Sequence, residues 1–321
     1  TGKLGASVKA LANNSERKRL RLGFDPAITP QAVRAALETA GADLIPFDSP
    51  FAAARTAKND AELAHMKDAF ARADDAVQKL QRWLNREVGR GEHVTEKDVA
   101  DKMERLFRRA GAWGLSFNVI SAAGKNGAVI HYSSPDAQTP IKAGEIFLLD
   151  TGGYFDGGYA TDLTRTFLVG PRGTKASFEQ KRLFTLVLKA AVAGMSARFP
   201  RGTTGGQLDA LVRAPLWQAG LNFAHGTGHG VGVNVHEAPP RVRPGDGSAL
   251  EVGQVFSIEP GVYIPDFGGI RIENLCTCVL DPDDDDFLRV QPLTFSPFDA
   301  RLIDSALLTG QEKRFLKWFK E

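Results

Sequence analysis

The sequence predicts an α+β protein, with antiparallel hairpins at its centre and helices packed outside them. Three observations predict it. Apolar runs broken by turn residues give two hairpins, one around Asp156-Gly157 and one around Pro265-Asp266-Phe267-Gly268-Gly269. Apolar residues recur at helical spacing in several long stretches between and around them. The composition is globular, 43% hydrophobic and 24% charged over 321 residues.

Residues 1–54 read as the end of a separate α/β unit. RLRLGFDP is a strand, ITPQAVRAALETAG a helix with Pro30 in its first turn, and ADLIPFD a second strand. These elements are too few to close a core alone. FAAARTAKN, residues 51–59, reads as a connector into the larger unit, residues 55–321.

Asn59-Asp60 opens a long amphipathic helix whose inward stripe is Leu63, Met66, Phe70, Ala73, Val77 and Leu80. Thr95-Glu96-Lys97 opens the next, with Val99, Met103 and Leu106-Phe107 inward and Gly111 ending it. Further helices are expected over 176–197, 205–219 and 309–320, the last carrying Phe315, Trp318 and Phe319. The acidic run 283–286 reads as a solvated hairpin loop. Cys276 and Cys278 alternate along a strand, where a disulfide is disfavoured, and fit a reducing, cytoplasmic setting.

The hairpins carry the chemistry. Ile146-Phe147-Leu148-Leu149 leads into Asp150, and 159–167 reads as the returning strand with Asp162 on it. Asp150 and Asp162 are equidistant from Asp156, so a reversal there sets them opposite each other. Glu259 and Glu273 are equidistant from Asp266 in the same way. Four converging carboxylates would repel and protonate unless cations neutralised them. Two divalent ions remove that objection. Oxygen-rich ligation with one imidazole suits Mn²⁺, and Co²⁺ or Zn²⁺ could also occupy it.

Three of the six histidines lie between the acid pairs, His225, His229 and His236. The glycines around the first two argue against a helix, so this is extended or looped chain passing close to something. His131 follows an apolar run in AVIHYSS, and alone reads as a core or turn residue. His65 and His93 read as surface residues.

LLDTG with TDLTRTF, HGTGHGVG with NVHE, SIEPG and GIRIEN together resemble the successive signatures of the pita-bread metallopeptidases. That superfamily includes aminopeptidase P, prolidase, methionine aminopeptidase and creatinase. The resemblance covers about residues 55–321, and the tail from Pro292 resembles the larger aminopeptidase P type. It implies a pita-bread fold, with Asp150, Asp162, His229, Glu259 and Glu273 as ligands to two metals. Asp162 and Glu273 would bridge, Asp150 would bind one ion, and His229 with Glu259 the other. His131, His225 and His236 match non-ligand active-site histidines, and Glu259 matches the residue that shuttles the proton. Arg271 matches an arginine behind the ligands; its alternation with Glu273 allows an ion pair to a ligand carboxylate. Residues 1–54 resemble the last part of an amino-terminal creatinase-like domain, so truncation is expected. The implied activity is release of the amino-terminal residue from peptides with proline second. The alternative is a prolidase acting on Xaa-Pro dipeptides, with Arg241 and Arg243 as candidates for the free carboxylate. A non-catalytic binder on the same fold is the third reading, disfavoured because all five ligand positions are filled.

A net charge of +2 without basic blocks argues against a nucleic-acid partner. No apolar stretch reaches membrane-spanning length. A peptide is the expected partner, and a homodimer the expected assembly.

Overall fold

A computed structural model describes residues 2–13, 20–26, 28–47 and 49–319. The chain divides into two compact units, residues 1–55 and 56–321.

The smaller unit contains α1 (Gly2–Asn13), β1 (Arg21–Phe24), α2 (Gln31–Thr39), β2 (Asp43–Pro46) and most of α3 (Pro50–Thr56). β1 and β2 pair in parallel, Arg21 opposite Asp43 and Phe24 opposite Pro46, so α2 is the crossover of a β-α-β unit. Residues 19 and 48, in the expected strands, lie outside the described residues. Pro30 is the N-cap of α2 rather than part of its first turn. Two helices differ from the sequence reading. α1 was not expected, and α3 occupies much of the stretch read as a connector.

The larger unit begins with α4 (Asp60–Gly89) and α5 (Glu96–Arg109). Both start at capping boxes, Asn59 with Glu62 and Thr95 with Asp98, which satisfy backbone donors that the first turn leaves free. β3 (Gly114–Leu115), β4 (Ile120–Ala123), β5 (Ile146–Thr151), β6 (Gly153–Tyr154) and β7 (Leu163–Leu168) follow. Then come α6 (Phe178–Met195), β8 (Arg198–Pro200), α7 (Gly205–Trp217), β9 (Gly228–Gly230), β10 (Glu237–Val242) and β11 (Val255–Ile258). β12 (Gly261–Ile264), β13 (Gly268–Arg271), β14 (Asn274–Asp281), β15 (Asp284–Pro292) and α8 (Gly310–Trp318) complete it. Residue 320, in the expected final helix, lies outside the described residues.

Two helix-on-sheet layers make the core, an α+β arrangement. Val77, Leu80 and Leu84 of α4 and Val99, Met103 and Phe107 of α5 pack on Phe147, Leu149, Leu163 and Phe167 of the β4-β5-β7 sheet. α6 and α7 place Phe184, Leu188, Val192, Leu208 and Val212 against Phe256, Ile258, Cys276 and Val290 of the six-stranded sheet β10-β9-β11-β14-β15-β8. Cys276 and Cys278 are buried free thiols. The acidic run forms the β14–β15 turn and the start of β15, with Asp281 opposite Asp284. Strand alternation now fixes where the chemistry lies. Phe147 and Leu149 point to α4 and α5, so Asp150 points to the opposite face of β5.

Candidate metal centre

The first hairpin does not have the expected register. Asp150 lies opposite Thr164, not Asp162, and β7 starts one residue after Asp162. Closer to the turn, Thr161 N donates to Gly153 O at 2.9 Å and Tyr154 bridges Ala160. The reversal is therefore centred on Gly157. Gly157 and Gly158 both take positive φ, 91° and 81°, which a side chain would resist. The error is two residues, and the strand period is two, so Asp162 keeps the face it was expected to have. It reaches Asp150 diagonally.

The second hairpin has the expected register but is interrupted at the acids. Ile258 opposes Asn274 and Gly261 opposes Arg271, which sets Glu259 opposite Glu273 in a gap between two ladders. Pro260 has no N–H to continue the ladder. Released from it, Glu259 N donates to Thr227 O at 2.8 Å and Glu273 N to Thr164 O at 3.1 Å. The gap thus hands one acid to the histidine loop and the other to the first hairpin. That exchange brings all four carboxylates together.

Each histidine sits on a segment tied down by buried polar groups. His229 is on β9; its N–H donates to Ser257 Oγ at 3.0 Å, and that hydroxyl donates to Glu259 Oε1 at 3.1 Å. Buried Arg213 holds the His225 loop through Phe223 O at 2.7 Å and His225 O at 2.6 Å, and is itself paired with Asp209. His236 precedes Glu237, whose carboxylate meets Lys58 at 3.2 Å with both side chains 3% exposed. Glu96 fixes the turn carrying His131. Its carboxylate accepts from Ala123 N, Asn126 Nδ2, Tyr132 OH and Asp136 N. His65 and His93 are exposed, as expected.

Tautomers follow from partners that can only accept. His229 Nδ1 faces Gly230 O at 3.1 Å and so carries the proton. Its bare Nε2 then points at Asp162 Oδ2, 3.5 Å away, and Glu259 Oε1, 3.4 Å away. Burial pushes this imidazole down to about 4, so at neutral pH a lone pair faces carboxylate oxygens. His225 is also pushed down to about 4 by burial. Its Nδ1–H donates to Gly226 O at 2.7 Å, and its Nε2 accepts from Tyr263 OH at 2.8 Å. In this arrangement His225 has no free N–H, and donating to a substrate would require breaking the Gly226 bond. His236 is exposed, its ring 4.0 Å from that of His229.

The carboxylates are as crowded as the sequence predicts. Asp162 is raised well above its usual range by burial, then by Glu273, Asp150 and Glu259. Burial and Glu273 raise Glu259, and burial and Asp150 raise Glu273. Arg271, 2% exposed, offsets part of this. It donates to Asp150 Oδ2 at 2.6 Å, Tyr263 OH at 2.8 Å and Thr164 Oγ1 at 3.2 Å. One guanidinium cannot neutralise four acids.

The donor set fits two divalent cations. Asp150, Asp162 and Glu273 present oxygens within 4.8 Å of one another; His229, Glu259 and Glu273 form a second such group, and Asp162, His229 and His236 a third. Asp150 Oδ1 is buried without a hydrogen-bond partner among the described residues. An orphaned carboxylate oxygen and a bare imidazole nitrogen aimed at carboxylates are both stabilised by cations between them.

Sequence reasoning missed Thr164, Ser257 and Tyr263, though each stands at alternating or near-alternating distance from one of the four acids or from Arg271, on a strand face already assigned. It missed Glu96 and Lys58 because their partners are far away in the chain, and Arg213 although Asp209 stands four residues before it on α7.

A family profile described as Metallopeptidase family M24 matches residues 64–279. Aminopeptidase P2 of Arabidopsis thaliana is 39% identical over 291 residues, 87% of this chain and 40% of the relative. The crystal structure of X-prolyl aminopeptidase from Caenorhabditis elegans, described as a cytosolic enzyme with a di-nuclear active site, superposes with a TM-score of 0.86 at 32% identity, covering 99% of this chain and 52% of that one. Xaa-Pro dipeptidase from Bacillus anthracis gives a TM-score of 0.77 at 30% identity, covering 91% of this chain and 77% of that one. The chain spans about half the length of the curated relatives it matches.

Proposed function

The chain belongs to metallopeptidase family M24, and on that premise we propose that it removes the amino-terminal residue from peptides with proline in the second position. The observation that carries this is the convergence of Asp150, Asp162, His229, Glu259 and Glu273 beside three further histidines. The likeness to an Xaa-Pro aminopeptidase across nearly the whole chain supports the substrate class.

In this reading Asp150, Asp162, His229, Glu259 and Glu273 would hold two metals, with Asp162 and Glu273 serving both, Asp150 one, and His229 with Glu259 the other. Mn²⁺ suits the oxygen-rich set best, ahead of Co²⁺ or Zn²⁺. A bound pair supplies Lewis acidity that makes water nucleophilic near neutral pH. Glu259 takes the proton from the attacking water; Ser257 Oγ and the Thr227 carbonyl fix where its carboxylate points. His236 and His131, both exposed, donate to the substrate carbonyl and to the negative charge that develops on it. His225 joins them only by releasing Gly226 O. Arg271 holds Asp150 in place and limits the carboxylate repulsion.

A dipeptidase is the second reading, favoured by the Bacillus anthracis likeness and by exposed Arg241 and Arg243. Residues 1–54 are proposed as the end of a creatinase-like domain, supported by the parallel β1–β2 pair. The free cysteines support a cytoplasmic setting. No helix among the described residues is long and apolar enough to cross a membrane. The proposed assembly is a homodimer. The test is hydrolysis with Mn²⁺ of Xaa-Pro and Xaa-Pro-Yaa peptides. Cleavage of the tripeptides supports the aminopeptidase, cleavage of dipeptides alone supports the prolidase, and cleavage of neither contradicts both.

A further inference from the structure

We infer that Arg165 is a positioning residue that ties Glu273 to the C-terminal segment 293–298, so that metal binding at the centre and the order of that segment are linked. This rests on the metal-centre reading above.

The starting point is the ladder gap. Glu273 leaves its partner strand, and its buried N–H and C=O must find other partners. Thr164 and Arg165, adjacent on β7, supply them. Thr164 O accepts the Glu273 N–H at 3.1 Å, and Thr164 Oγ1 donates to Glu273 Oε2 at 2.8 Å. Arg165 Nη1 donates to Glu273 O at 2.5 Å. Every polar handle on Glu273 except one carboxylate oxygen is therefore held by two consecutive residues. Thr164 does this from the centre's face of β7, and Arg165 from the opposite face.

Arg165 is 3% exposed, and its direct bonds all go to carbonyl oxygens. Besides Glu273 O it reaches Thr164 O at 2.9 Å and Ser296 O, from Nε at 3.0 Å and from Nη2 at 2.6 Å. Its guanidinium lies over the Phe298 ring at 4.8 Å. A planar fork that spans three carbonyls cannot be copied by an ammonium on a flexible stem.

The tail is tied at each neighbouring position as well. Leu293 N donates to Leu275 O at 2.7 Å, and Leu275 N to Thr294 Oγ1 at 3.0 Å. Asn274 Nδ2 donates to Thr294 O at 2.8 Å, and Phe295 N donates to Asp74 at 2.6 Å. Residues 273–275 and 293–296 are thus fastened side by side, with Arg165 making the bond at the acid itself. Drawing the Glu273 carboxylate onto cations must load this set of bonds, and by reciprocity a loosened tail must weaken the cations.

The test uses the full chain and Mn²⁺ chloride. Calorimetric titration compares wild type, Arg165→Lys and Met103→Ala, the last as a buried change in the α4–α5 core, which contains no residue of 293–298. Arg165→Lys should weaken Mn²⁺ binding by about 10- to 100-fold, as loss of a ligand's supporting partner does. Met103→Ala should stay within about threefold even where it lowers the melting temperature as much. In wild type, Mn²⁺ should slow amide exchange at 293–298 as well as at 271–275. Equal weakening in the two variants, unchanged affinity in Arg165→Lys, or exchange at 293–298 indifferent to Mn²⁺ would each overturn the inference. Should Arg165→Lys fail to fold, the wild-type exchange result decides alone. Wild type that takes up no Mn²⁺ refutes the metal centre itself, and the inference with it.

Discussion

Asp74→Asn should change how stability depends on pH. Asp74 is 7% exposed on the inner side of α4. Burial pushes its carboxyl up from 3.8 to about 6, and the Phe295 N–H and the Arg165 charge recover only part of the cost. The unfolded chain releases this proton near its ordinary value, while the folded chain keeps it. The contribution to stability is therefore complete below about pH 4 and is lost as pH rises through about 6. A rise of roughly two units, at about 1.36 kcal/mol per unit, makes the loss about 3 kcal/mol. Asparagine has nearly the same shape, keeps an oxygen for Phe295 N, and does not titrate. Urea denaturation of both chains at saturating Mn²⁺, from about pH 4 to 7.5, isolates the difference. The stability of the variant relative to wild type should grow by about 2.5 kcal/mol across that range, most of the whole loss. A constant difference would refute the dominance of burial. A difference of the opposite sign would mean that the Arg165 attraction outweighs it.

Asp162→Ala or Glu273→Ala should abolish activity and paired metal occupancy together, read by elemental analysis alongside peptide hydrolysis; full activity in either would remove it from the centre. His236→Ala should keep its metal and lose about 100- to 1,000-fold in kcat, with a smaller loss in His131→Ala. Metal loss from His236→Ala would make that nitrogen a ligand instead. Lys58→Met should cost about 3–5 kcal/mol in denaturant unfolding, because Glu237 is left charged and buried, and adding Glu237→Leu should recover most of it. A cost in Lys58→Met below about 1 kcal/mol would mean that water reaches the pair.

The centre was legible where local pattern determines it. Both acid hairpins follow from apolar runs and turn residues, and face assignment survives a register error of even size. Hence Asp162 was placed on the correct side although its partner was wrong. The register itself depended on which glycine centres the turn, and Asp156-Gly157-Gly158 offers two adjacent choices. The ladder gap at Glu259 and Glu273 had a readable sign in Pro260, but where the freed groups go is set by Thr164 and Thr227, far away in sequence. Glu96, Lys58 and Arg165 could not be read at all. A charged residue near a helix start or on a strand is ordinarily at the surface. Only the fold shows that their partners, such as Glu237 for Lys58, are buried with them. The helix α3 was hidden in a stretch of small residues too short for a helical stripe to show.

The most direct test is a single titration that follows metal content and chemistry in the same sample. Metal-stripped chain is titrated with Mn²⁺, and release of the first residue from an Xaa-Pro-Yaa peptide is measured at each step. Activity should rise as two ions per chain are bound and remain absent from Glu273→Ala at every Mn²⁺ level. Full activity in the stripped chain, or saturation of the centre with no cleavage of any Xaa-Pro bond, would contradict a paired-metal aminopeptidase.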